Sequence, residues 1–311
     1  DGTMALTTHG DGDATVVNDD DIAFGNSTVR GDLTATASAG NITQSGALTI
    51  TGTTTLVTSA DNATITLNDA GNAFTGKLLI TTNDTGSETD GDVEIDGGTT
   101  NLILGASTID GDLTLRSGGT ITDDGIATVR GTLTATTDQS DKIITLDELA
   151  VTGAFTLAPD GTGAVTIVNA AGLNLAASTM GGTFSGTATT GNIIQGAAVT
   201  VTGTSSFTTS ATNGVITLSN TSNAFASAVT LSTTGAAAHA IIDNGTTTLD
   251  IAASTVGGDL TLTSGATAGI TDSGNVTVAG NFVATTDANS GVINLGTLAV
   301  DGTMALVTHN N

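Results

Sequence analysis

The sequence predicts an all-β protein built as a parallel β-solenoid of about 20–30 residues per coil, with no helical domain, and three observations carry that expectation. Apolar residues alternate with threonine or serine, as in LTIT (48–51), TITL (64–67), VTVT (199–202) and LTLT (260–263). Gly, Asn and Asp interrupt the chain every six to ten residues. The chain also repeats itself at several lengths.

The alternation has period two, which puts successive side chains on opposite faces of a strand. Thr, Val and Ile favour strands because branched side chains fit a pleated surface. Gly, Asn and Asp supply the turns between strands. No amphipathic stretch longer than two helical turns stands out. The shortest repeating unit follows the template apolar, any residue, Gly, then an alternating strand. Its copies start at 29, 50, 74, 109, 129, 151, 180, 201, 225, 256, 278 and 300, as in VRGDLTATA (29), IDGDLTLRS (109), VTGAFTLAP (151) and VGGDLTLTS (256), so successive copies lie 20 to 35 residues apart. A unit this short cannot bury its own apolar face, but stacked units share one continuous core. The expected coil is a triangle of parallel strands with a rise of about 4.8 Å, giving about 12 coils per 300 residues. Expected inward positions include Met4, Leu6, Val16, Leu33, Ile42, Leu67, Leu113, Phe155, Phe207, Leu262, Ile293 and Leu295.

Longer repeats set the domain organisation. Residues 40–74 match 191–225 at an offset of 151. Residues 108–118 match 255–265 at 147, and 121–133 match 270–282 at 149. The expected parts are therefore an acidic half-period over 1–151 and a second half-period over 152–300. Asp301–His309 repeats Asp1–His9 at eight of nine positions, so 301–311 is expected to open the next period of a tandem array. Asn72 and Asn223, both in an NAF motif, should occupy equivalent turns and bond backbone groups there.

Composition narrows the function. The 311 residues include 42 Gly, one Pro, seven Phe and no Trp, Tyr or Cys, and the net charge is −25. Only 11% of residues are charged, yet the hydrophobic share is 38% and the mean hydropathy is +0.23, which argues against a disordered acidic tail. A surface this negative repels nucleic acid and anionic membranes, so neither is an expected partner. No apolar run is long enough to span a membrane. Absence of cysteine suits an exported chain. Polysaccharide-cleaving chemistry needs paired acids, or cations that hold an anionic sugar. Five scattered cations and tandem repetition argue against an enzyme.

The tracts GNITQSGALTITGTTTL, ATITLNDAGNAFTG, LILGASTIDGDLTL and ASTVGGDLTLTSGATAGITDSGNVTVAG resemble the long repeat regions of filamentous-haemagglutinin-like bacterial surface exoproteins. The resemblance covers nearly the whole chain. It implies a right-handed parallel β-helix, secretion to the cell surface, and a role as an adhesin in adhesion, aggregation or biofilm. The expected partners are neighbouring repeats of the same chain and laterally associated copies.

Several residue groups are candidate sites. Acid concentrates in the first half, where residues 1–150 hold 23 of the 30 Asp and Glu and all five cations. Calcium takes six to eight oxygen ligands, and Asp-Gly-Asp turns offer carboxylates and carbonyls. The calcium candidates are Asp11, Asp13, Asp19, Asp20, Asp21, Asp90, Asp92 and Asp96, with Glu88 beside them; solvated charge is the bland alternative, since neither an EF-hand nor a nonapeptide calcium repeat is present. No cofactor is otherwise required. Arg30-Gly31-Asp32 spells an integrin tripeptide, but the template varies through it by drift and places it in a strand. His9, His239 and His309 form no expected metal cluster. Threonine ranks raise an ice-binding face as a further alternative.

Overall fold

The computed structural model describes residues 2–83, 85 and 90–309. Among these, every regular element is a β-strand, and every strand pairing is parallel. The parallel sheets stack as a β-solenoid of about 14 turns. Coils are tighter than expected: one ladder step covers as few as 19 residues (Ala14 to Leu33) and as many as 28 (Ile65 to Val93).

Contacts divide the chain into two compact units. One comprises Asp1–Gly153 with Ala158–Asp160, the other Ala154–Leu157 with Gly161–Asn311. In the first unit one sheet runs through Thr3–Met4, Ile22–Phe24, Ile42–Gln44, Ile65–Leu67, Val93–Asp96, Leu113–Ser117 and Leu133–Thr137. Its early coils have three sides, shown by Ile22–Phe24, Ser27–Val29 and Leu33–Ala37 in succession. Later the second and third sides merge into single strands, Leu102–Ile109, Ile121–Val129 and Ile144–Val151, which bend at register shifts between Gly105 and Ser107 and between Thr122 and Ala127.

The second unit follows the same plan. Its corresponding sheet includes Leu173–Leu175, Ile193–Gln195, Ile216–Leu218, Ala240–Asp243, Leu260–Ser264, Phe282–Asn289 and Met304–His309. The two halves reproduce each other down to backbone detail. Asn62 and Asn213, 151 residues apart, both turn the chain at φ 63°.

The period-two pattern becomes burial. Leu33–Ala37 alternates buried and half-buried residues, as do Val165–Asn169 and Leu260–Ser264. Leu33, Ile42, Leu67, Leu113, Phe155, Phe207 and Leu262 are fully or almost fully buried. Met4, Leu6, Val16, Ile293 and Leu295 are only half-buried, because they lie in the outermost coils of their units. The second unit holds the largest side chains of the core in a row. The Phe207 ring lies 5.4 Å from that of Phe184 and 5.5 Å from that of Phe225, tilted and edge-on. Gly186 pairs with Phe207 and makes the room, since a Cβ there would approach the Phe184 ring to 2.7 Å.

Candidate functional site

Each coil must give its turn N–H groups a partner, because buried or crowded backbone donors are costly to leave free. The strand template solves this with the residue after its glycine. The Asp13 carboxylate accepts the N–H of Asp32 at 2.8 Å, and the Asp32 carboxylate accepts that of Thr53 at 2.7 Å. A second ladder runs from Asp21 to the N–H of Asn41 and from the Asn41 amide oxygen to that of Thr64. A third runs from Asp92 to the N–H of Asp112 at 2.8 Å, and from Asp112 to that of Thr132. Glycine beside the ladder is obligatory: a Cβ on Gly52 would lie 2.6 Å from the Gly31 backbone.

In the second unit the same ladder passes through a histidine. His239 Nδ1 accepts the N–H of Asp259 at 2.8 Å, and Asp259 accepts that of Asn281. The segment HAIID (239–243) repeats DVEID (92–96), so the equivalence was visible in the sequence although the role was not. Accepting that N–H requires Nδ1 to be unprotonated.

The Asn expectation is met in full. Asn72 is 2% exposed; its oxygen accepts from Gln44 and the Leu48 N–H, and its amide donates to Gln44, Leu67 and Asp96 oxygens. Asn223 reproduces the network with Gln195, Val199, Leu218 and Asp243. The glutamines carry a signal in the sequence only through the repeated GNITQ and GNIIQ tracts.

The calcium candidates spread over separate turns. Asp11, Asp13, Asp19, Asp20, Asp21, Asp90 and Asp92 are exposed, while Asp96 is 6% exposed. Asp20 and Asp21 edge a shallow depression of about 270 Å³ with Gly2, Thr3, Asn18, Ala23 and Thr43. Asp92 joins Glu94 and Asp112 in a shallow depression of about 360 Å³. Among the described residues no three acidic or imidazole groups converge as a metal cage, and Glu88 lies outside those residues. The Arg30-Gly31-Asp32 tripeptide sits at the bend between Ser27–Val29 and Leu33–Ala37 rather than in a strand, and its carboxylate holds Thr53.

Ion pairs tie coils together in the first unit. Lys77 meets Asp124 at 2.7 Å and Arg130 meets Asp110 at 3.1 Å. Arg116 meets Asp138 at 2.7 Å and approaches the buried Asp96 at 3.6 Å. Burial raises the Asp96 carboxyl above the ordinary 3.8, more than the Gly98 N–H and Arg116 lower it. Asn68, Glu94, Asp96, Arg116 and Thr136 line a depression of about 190 Å³ on this sheet face. The equivalents in the second unit are Ser219, Ile241, Asp243, Thr263 and Thr285, so the charged cluster belongs to the first unit.

Fold and ladders together define a repetitive β-solenoid whose polar turn residues are spent on joining coils. The chain belongs to a family of repeats of unknown function (DUF5649), matched over residues 11–81, 90–160 and 162–232. No curated protein and no solved structure matches it. The family unit thus spans about three coils, half the 147–151-residue period read from the sequence.

Proposed function

We propose that this chain is a structural repeat segment of an extracellular fibre or stalk of a large bacterial adhesin, serving cell-surface adhesion, aggregation or a biofilm matrix. The observation that supports this most is the use of the turn carboxylates and amides: Asp13, Asp32, Asp92, Asp112 and Asp259 each accept a backbone N–H from the next coil. Groups engaged in this way join coils along the stack, which favours a spacing role over catalysis. Parallel ladders also cover strand edges along the stack. Adhesin character and export to the surface rest on the resemblance of the repeat tracts. Immunogold labelling of intact cells of the source organism, with antibody against residues 90–160, should decorate surface filaments. Label confined to the cell interior would overturn the reading.

A second reading, a calcium-dependent self-associating module, draws on the depression shared by Asp92, Glu94 and Asp112. A ligand that binds only the folded form raises its stability by mass action. Millimolar calcium should then raise the melting temperature more than sodium chloride of equal ionic strength. Equal shifts would reduce these acids to solvated charge.

A further inference from the structure

Residues 161–242 of the second unit contain no Asp, Glu, Lys or Arg, although the whole chain carries a net charge of −25. The equivalent stretch of the first unit, 10–91, carries Asp13, Asp32, Asp61 and Asp69 among its acids, with Arg30 and Lys77. Within the uncharged stretch the strands Leu173–Leu175, Ile193–Gln195, Ile216–Leu218 and Ala240–Asp243 lie side by side in one sheet. Asn174, Ile194, Thr217 and Ile241 stand in register on its outer face, and the row continues to Thr261 and Val283.

Ile194 and Ile241 are 43% and 38% exposed, although each of their strands is paired on both sides. Their exposure therefore belongs to the sheet face and not to a strand edge. The core is already filled from these strands by Ile193, Ile216, Leu218 and Ile242. Along the row Ile, Thr, Ile, Thr and Val alternate from coil to coil, so the large apolar side chains recur about every 9.6 Å with a threonine between them. In the first unit the same row reads Ala23, Thr43, Thr66, Glu94 and Thr114, with a carboxylate where the second unit has Ile241.

We propose that this face of the second unit is a contact between two copies of the chain. Two molecules of equal negative charge repel, and the uncharged face is where they can meet without setting carboxylates against each other. A second copy also brings the same coil rise, so its isoleucines can seat over the threonines of the first and the row is its own complement. Covering Ile194 and Ile241 removes apolar surface from water and strips no charge of its hydration. Four coils by one five-residue strand give a face of about 19 by 17 Å. That is below the roughly 800 Å² per partner of a stable complex, so a single contact is weak. The contact goes beyond the fibre-segment reading, which a fibre of unpaired chains would equally satisfy.

The test is sedimentation equilibrium of the 311-residue chain up to millimolar concentration, with chelator present and sodium chloride raised from about 0.05 to about 0.5 M. Added salt screens the repulsion between copies, so association should strengthen several-fold. Ile241→Glu installs the residue that the first unit carries as Glu94, and the parent unfolding curve should be kept. It should weaken association at least tenfold at the higher salt. Thr208→Glu adds the same charge on a different sheet of the same coils and should change association less than twofold. A chain that stays monomeric throughout, or equal effects of the two substitutions, would overturn the proposal. Association that appears only when calcium replaces the chelator would also overturn it, and would favour the calcium reading instead.

Discussion

Asp123 in the first unit and Asp272 in the second occupy one repeat position, 149 residues apart, and do the same structural work with opposite electrostatic outcomes. Asp123 accepts the N–H groups of Asp147 and Glu148 at 3.0 and 2.8 Å. Asp272 accepts those of Gly296 and Thr297, both at 2.7 Å, together with the Thr297 hydroxyl. Burial raises Asp123 above 3.8, and the negative charge of Asp147 adds to the rise, outweighing its two donors. For Asp272 burial also opposes ionisation, but the Gly296 and Thr297 donors together pull the carboxyl below 3.8. The difference teaches that the hydrogen-bond plan belongs to the fold, while the charges around it are free to drift between repeats.

The largest effect should fall where the two units agree. Asn72→Ala leaves the Leu48 N–H, the Gln44 amide and two carbonyls without their partner. Each unsatisfied buried group costs about 1–3 kcal/mol. Asn72→Ala and Asn223→Ala should therefore each lose at least about 3 kcal/mol in denaturant unfolding. A cost under about 1 kcal/mol in either, or a large inequality between them, would break the equivalence.

The pH response should separate the units. Asp272, lowered in the folded state, contributes stability that is full above 3.8 and is lost as pH falls through its folded value. Asp123, raised, does the reverse: its protonated form favours the fold, and that contribution fades as pH rises from 3.8 through its folded value. NMR titration of the side-chain carboxyl carbons should place Asp272 below 3.8 and Asp123 above it. Both on one side would show that the neighbours Asp147 and Glu148 against Gly296 and Thr297 do not govern the site.

A smaller effect is expected at the ion pairs peculiar to the first unit. Lys77 and Asp124 are 45% and 62% exposed, and such pairs contribute at most about 1 kcal/mol. Lys77→Ala should lower the free energy of unfolding by no more than that; a larger loss would make the pair part of the scaffold.

What the sequence made legible follows the same division. Period-two alternation in segments such as Leu260–Ser264 specified strands and their inward faces, because burial and pleat share that period. Repeat offsets made Asn72 and Asn223 equivalent before any contact was known. Partners across coils were harder to see: Gln44 lies 28 residues from Asn72, and nothing local marks the pair. The Asp-Gly-Asp turns suggested metal binding because composition shows acid but not its acceptor role. Only the stacked geometry reveals that Asp13 and Asp92 face a backbone N–H. Coil number was underestimated because the template changes sheet along the chain: its strand lies in one sheet at Lys77–Thr81 and in another at Leu113–Ser117, so the spacing between these copies exceeds one coil.

The most direct measurement transplants the second unit's surface onto the first. Glu94→Ile with Arg116→Thr copies Ile241 and Thr263, the residues at those positions 147 further along. Glu94 is exposed and Arg116 is 57% exposed, so the scaffold beneath them should be indifferent. Denaturant unfolding of the double variant should stay within about 1 kcal/mol of the parent chain. A loss of about 3 kcal/mol or more, the size expected for Asn72→Ala, would show that the charged face holds the coils together and that the shared ladders alone do not.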